Sequence, residues 1–248
     1  DAPAHATLID AVLSDDVGKP FHLERAVGLY ERDGGILWKH FDGNQNQTRR
    51  ARELVVFFVA TIGNYDYAIN WIFHQDATLE VDCALTGIMQ AKGVAARTED
   101  DFELQHLHSS HLVAENLVAP HHQHFFSFRL DLDVDGMNNT VTELNTRAAA
   151  PGPDNPYLNG MVTEETVLRS ERDAQRAVNP ESARTWRIMT PAMKNSLAQH
   201  PSFILVPGPN PVPYIAPESQ VRQRARFVDH HVWVTRYDPA ERYAAGDY

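Results

Sequence analysis

Short runs of alternating apolar and polar residues, separated by turn-forming residues, dominate this chain and predict a β-rich fold. Residues 53–61 form a β-branched and aromatic run suited to a buried strand. Residues 69–73 and 78–85 read as two strands joined by the polar turn His74-Gln75-Asp76-Ala77. Residues 122–134 make the longest candidate strand, and residues 203–206 and 232–235 make two shorter ones. Helical signals are weaker. Residues 180–186 suggest a short helix with Asn179 as cap, Pro180 at its first position and Glu181 in its first turn. Residues 191–198, opened by Thr190 and Pro191, suggest another. The Pro-rich stretches 148–156 and 207–217 read as ordered loops, and Asp15-Asp16-Val17-Gly18-Lys19-Pro20 as a turn. With no repeat and no domain boundary in the pattern, the expectation is one domain over residues 1–248, built as a β-sandwich.

Composition narrows the function classes. The chain has 248 residues and a formal net charge of −11, from 33 acidic and 22 basic residues. That balance opposes non-specific nucleic-acid binding, which depends on phosphate neutralisation by Lys and Arg. It suits a cationic substrate, although acidity of this kind also serves solubility. No apolar run reaches the length of a membrane-spanning helix, so neither nucleic acid nor membrane is an expected partner. The single cysteine, Cys83, excludes an internal disulfide and a cysteine-rich zinc site; its alternating setting predicts a buried structural thiol.

Chemistry concentrates in Pro120-His121-His122-Gln123-His124-Phe125-Phe126-Ser127-Phe128-Arg129-Leu130-Asp131-Leu132-Asp133-Val134. In an extended chain alternate side chains share a face, so His122 and His124 lead an otherwise apolar row of Phe126, Phe128, Leu130, Leu132 and Val134. The expectation is that both imidazoles enter one apolar interior, close enough to chelate a single ion. Copper, zinc, iron and nickel all accept imidazole, so the spacing does not select the metal. A cupin-type site would need Glu four or five residues past the second histidine, where this chain has Phe128 and Arg129. The opposite row offers Asp131, Asp133 and Asp135, which could serve a hard cation or form a solvated face.

A second motif, Thr61-Ile62-Gly63-Asn64-Tyr65-Asp66-Tyr67, follows the apolar run. Gly-Asn is a turn signal, and on composition alone the tyrosines simply pack at its edge. The stretch closely resembles the cofactor motif of copper amine oxidases, Thr-x-x-Asn-Tyr-Asp/Glu-Tyr. The resemblance continues through Glu31-Arg32-Asp33-Gly34-Gly35-Ile36-Leu37-Trp38-Lys39-His40, Arg52-Glu53-Leu54-Val55-Val56, His230-His231-Val232-Trp233-Val234-Thr235 and Tyr243-Ala244-Ala245-Gly246-Asp247-Tyr248. It implies a mainly β fold, the large sandwich (supersandwich) of that family's catalytic domain, with long loops and few short helices. It also implies that Tyr65 is the topaquinone precursor, that Asn64 and Asp66 position its ring, and that His122 and His124 bind copper. Asp131, the main chain of Leu132 and Asp133 match the family's second, calcium-like site. The implied reaction is oxidative deamination of a primary amine by dioxygen to aldehyde, ammonia and hydrogen peroxide, in a homodimer.

Two functional residues of the family have no counterpart here. Its catalytic Asp is expected before Asp1 and its third copper histidine beyond Tyr248, so residues 1–248 are expected to be part of a catalytic domain truncated at both ends, and the piece alone to be inactive. Asp10, Asp15 and Asp16 are not assigned as base. His230 and His231 are assigned structural positions, and His106, His108 and His111 a loop-packing role. Two other function classes compete with the oxidase: a metal-binding or structural β-protein without activity, and a mononuclear metal hydrolase or oxygenase. The latter leaves the tyrosine motif unexplained.

Overall fold

The computed structural model describes residues 1–104, 109–208 and 210–241. His106, His108 and the Tyr243–Tyr248 motif therefore lie outside the described residues. Contacts divide the chain into two compact units, Asp1–His121 and His122–Tyr248.

The first unit holds an antiparallel meander of five strands in sequence order: β1 (Thr7–Ser14), β2 (Pro20–Phe41), β3 (Asn46–Ile62), β4 (Tyr65–Phe73) and β5 (Leu79–Gly87). The sequence pattern locates β3, β4 and β5 but understates them. The ladder of β3 begins at Asn46, in a polar stretch whose charges pair across the sheet instead of packing inward. Strand β2 carries no clean alternation because its register shifts twice beyond Asp33, where Gly35 adopts φ +87°. Beside this irregularity, Glu53 occupies the space a Cβ on Gly34 would fill, and its carboxylate accepts a 2.6 Å hydrogen bond from Arg32. One face of the meander packs Val55, Phe57 and Ile72 into a small core with Ala2 and Tyr30. Register and alternation put Tyr65, Tyr67, Ile69, Trp71 and Phe73 on the opposite face, beside Phe58 and Leu85. Cys83 shares that face half-buried, and burial, helped by Asp82, pushes its thiol up. The rest of the unit is a three-stranded sheet of β6 (Lys92–Gly93), β7 (Ser110–Ala114) and β8 (Leu117–Pro120) in the order β6-β8-β7, with a short helix at Glu99–Leu104.

The second unit is organised by an antiparallel sheet in the order β10-β9-β12-β13. Its strands are β9 (Thr140–Ala148), β10 (Met161–Val167), β12 (Thr185–Met189) and β13 (Ser202–Leu205). Strands β11 (Gln175–Arg176) and β14 (Val232–Trp233) pair separately. Trp186 and Thr142 are fully buried here. Glu143, also buried, is held by Arg176 through bonds of 2.6 and 2.9 Å and by Arg184 at 3.1 Å. Burial works against the charge on Glu143, but these two guanidiniums and Asn145 outweigh it and hold the carboxyl below the usual range.

Two expectations fail in this unit, each for a local reason. Residues 180–186 form only a single 3-10 turn, Pro180–Ser182. Its cap is as expected, with Asn179 accepting from the Glu181 N–H at 3.1 Å. Ala183 then turns left-handed at φ 46°, and the next residues are taken by β12, where Trp186 pairs with Glu143 and Leu205. Residues 191–198 do not become a helix, because the Asn195 carboxamide accepts from the Leu197 and Gln199 N–H groups and closes a turn. Residues 122–134 run outside every ladder among the described residues.

The loop after β9 is ordered by buried Asn155, whose amide donates to Ala149 O at 3.1 Å and whose oxygen accepts from Gly160 N–H at 3.0 Å. Asn155→Ala strands these backbone groups and is expected to cost about 1–3 kcal/mol, measured as a shift in the urea midpoint with an unchanged m-value.

Candidate tyrosine and copper sites

The Tyr65 motif is built by a two-residue hairpin. Ile62 pairs with Tyr65, leaving Gly63-Asn64 as the connection, and Gly63 takes the φ of +62° that the tight turn requires. Tyr65 is therefore the first residue of β4, half-buried, with its ring centroid 6.3 Å from that of Tyr67. Asp66 points to the other face, where the Thr61 hydroxyl donates to it at 2.5 Å. Asn64 donates to the Gln90 side-chain oxygen at 3.2 Å, and its carbonyl accepts from Ile88 N–H at 2.7 Å. The main-chain N–H of Gln90 in turn donates to the Tyr65 phenol oxygen at 3.2 Å. Gln90 carries no periodic signal in the sequence. The only hint of this contact is a glycine, Gly87, ending an otherwise regular strand run.

In the second unit, His122 and His124 lie side by side, their ring centroids 4.8 Å apart with planes at 61°. The i, i+2 expectation thus holds for the pair. Among the described residues the expected apolar interior does not close around it: Phe126, Phe128 and Leu130 are 37%, 42% and 45% exposed, and His122 itself is exposed. Gln123, facing the other way, fixes the backbone between the two imidazoles. It donates to Val212 O at 3.1 Å and accepts from Tyr214 N–H at 2.7 Å, acting as a short strand partner. Two adjacent imidazoles are a donor set that suits copper. Among the described residues no group of three or more His, Cys, Asp or Glu side chains is gathered for a metal.

Further along the segment Asp131 and Asp133 are exposed. The Leu132 carbonyl accepts from Asn139 Nδ2 at 3.4 Å, and the same amide donates to Gly136 O at 2.8 Å while its oxygen accepts from Val134 N–H at 3.2 Å. Asn139 thereby sets the course of the loop that carries the two carboxylates.

The remaining candidates are occupied structurally. His231 Nδ1 accepts from Val178 N–H at 3.4 Å and its Nε2 lies 3.0 Å from Asn210 O, so both ring nitrogens are engaged by backbone. His230 packs edge-on against Trp233, and burial, opposed by Asp229, pushes its imidazole down. Asp10 accepts from the Arg25 N–H at 2.8 Å and Asp15 closes the turn before β2. His111, expected to pack in a loop, instead lies exposed on β7, where it is paired into a ladder with Ala119.

Comparison with known proteins decides the family. The sequence profile described as copper amine oxidase, enzyme domain, matches residues 1–248. This chain belongs to the copper amine oxidase family. It is 38% identical over its whole length to a histamine oxidase from Arthrobacter globiformis and 35% identical to a primary amine oxidase from Klebsiella aerogenes. It covers 35% and 34% of those proteins, so it spans about a third of the length of these relatives. The crystal structure of a copper-containing benzylamine oxidase from Hansenula polymorpha superposes on 97% of the chain with a TM-score of 0.84 at 29% identity, the chain covering 37% of it. The mainly β architecture in several antiparallel sheets is the one expected of such a domain.

Proposed function

We propose that the protein carrying this chain oxidises primary amines, converting amine, dioxygen and water into aldehyde, ammonia and hydrogen peroxide. The observation that carries the proposal is the Asn64-Tyr65-Asp66-Tyr67 motif, intact and presented at the start of β4, in a chain that matches the family's enzyme domain throughout. Copper supplies the means for dioxygen to oxidise Tyr65, and the resulting topaquinone supplies an electrophilic carbonyl that no standard side chain offers. His122 and His124 are the copper ligands contributed by this chain, with Gln123 holding the backbone between them. Asn64 and Asp66 orient the segment bearing the ring. Asp131, the Leu132 carbonyl and Asp133 supply oxygen ligands for a calcium-like second ion, the chemistry a hard cation prefers. The proton acceptor and the third copper ligand are assigned outside residues 1–248, and the assembled enzyme to a homodimer.

The test is amine-dependent peroxide and aldehyde release by the copper-loaded protein in air, over a panel of aromatic and aliphatic primary amines. The two products are expected in equal amounts; no peroxide from any amine would overturn the proposal. His122→Ala and His124→Ala are each expected to lower copper affinity by at least about tenfold, since ligand loss exceeds the 10–100-fold effect of losing an outer partner. Equilibrium dialysis against a copper buffer reads this directly.

A further inference from the structure

We infer that residues 87–90 form a clasp that fixes the Tyr65 ring for its own oxidation, with Gln90 as the positioning residue and Asn64 acting through it. The inference rests on the proposed oxidase reading and adds a residue to it.

Tyr65 begins a strand directly after the Gly63-Asn64 turn, so its placement depends on how that turn is held. Three contacts from residues 87–90 hold this segment, and one of them reaches the ring oxygen. Gly87 sits directly opposite Tyr65 in the β4–β5 register and adopts φ +100°. The position a Cβ would take there is filled by Asn64 O at 2.5 Å, Asp66 N at 2.7 Å and Tyr65 Cα at 2.8 Å, so the backbone presses onto the motif more closely than any other residue would allow. Ile88 N–H then bonds Asn64 O at 2.7 Å, turning the chain back over the hairpin. This delivers Gln90, whose main-chain N–H meets the Tyr65 oxygen at 3.2 Å while its side chain is tethered by Asn64 Nδ2 at 3.2 Å. The loop Asn64–Gln90–Tyr65 is closed: the asparagine holds the glutamine, and the glutamine's backbone holds the phenol. A main-chain donor orients the oxygen and takes no proton from it. Reaction at the ring is sensitive to such orientation, a misplacement of about 1 Å costing on the order of 10²-fold.

The experiment follows conversion of Tyr65 in protein purified without copper, with its natural flanking sequence, then supplied with copper and air. The ring gains two oxygens and loses two hydrogens, two dioxygen molecules ending as those ring oxygens and one hydrogen peroxide. Mass mapping of the Tyr65 peptide against time gives the rate, and the visible band of the matured cofactor reports ring orientation. Gln90→Ala, which cuts the Asn64 tether, is expected to slow conversion about tenfold and to shift or broaden the band. Gln90→Glu retains an acceptor for Asn64 and is expected to stay within about twofold of wild type. Asn64→Ala combined with Gln90→Ala is expected to be no slower than the slower single variant, because both cut one link. If wild type converts and Gln90→Ala matches it in rate and band, the clasp is refuted. Equal slowing by Gln90→Ala and Gln90→Glu refutes the tether. Failure of wild type to convert refutes the oxidase reading itself.

Discussion

Replacing Tyr65 by phenylalanine is expected to reduce amine oxidation to background while leaving the fold and the copper content intact. The substitution removes one oxygen atom. That atom accepts the Gln90 N–H at 3.2 Å, and its loss is expected to cost only about 0.5–1.5 kcal/mol of stability. The ring volume stays almost the same, so the half-buried position at the start of β4 remains filled. His122 and His124 keep their ring contact and hence the copper binding proposed for them. Chemically, however, a phenyl ring without its hydroxyl is not activated towards dioxygen beside a metal, and no quinone carbonyl follows. Peroxide release, copper analysis and a thermal melt on the same preparation separate these effects. Turnover of amine by the phenylalanine variant at the wild-type rate would show that Tyr65 is not the cofactor precursor.

Removing Glu143 is expected to have the largest effect on stability. Its side chain is 4% exposed, and its two oxygens satisfy Arg176 and Arg184 together. Glu143→Ala leaves those guanidiniums beside an empty, poorly hydrated site, and breaking such a pair from one side costs about 3–5 kcal/mol. That is a large part of the ~5–15 kcal/mol that holds a typical domain together. The same group predicts a pH dependence. The folded-state carboxyl titrates below its unfolded value, so its contribution is fully present above the ordinary carboxylate range and is lost as pH falls through the folded value. Urea titrations at neutral and acidic pH are expected to show wild type losing stability on acidification, and Glu143→Gln losing less of it.

What the sequence makes legible follows from which interactions are local. The His122/His124 juxtaposition is a consequence of side-chain alternation, so it is readable without knowing any neighbour. The Asn179 cap and the Asp15 turn are equally local and come out as expected. Whether residues 180–186 form a helix depends on ladder partners far along the chain, and there the local pattern misleads. Strand β2 is missed because its register breaks near Gly35 scramble the alternation. Gln90 is missed for a different reason: it acts on Tyr65 mainly through its backbone N–H, a group every residue but proline possesses. The family motifs supply the chemistry proposed for Tyr65, but the clasp inferred around it emerges only from the fold.

The most direct measurement is phenylhydrazine labelling of the copper-loaded protein after exposure to air, followed by mass mapping of the peptide containing Tyr65. A hydrazone on Tyr65, formed from a residue that has gained the quinone oxygens, is the expected result. An unmodified Tyr65 in fully copper-loaded protein would contradict the oxidase account and leave a metal-binding β-protein in its place.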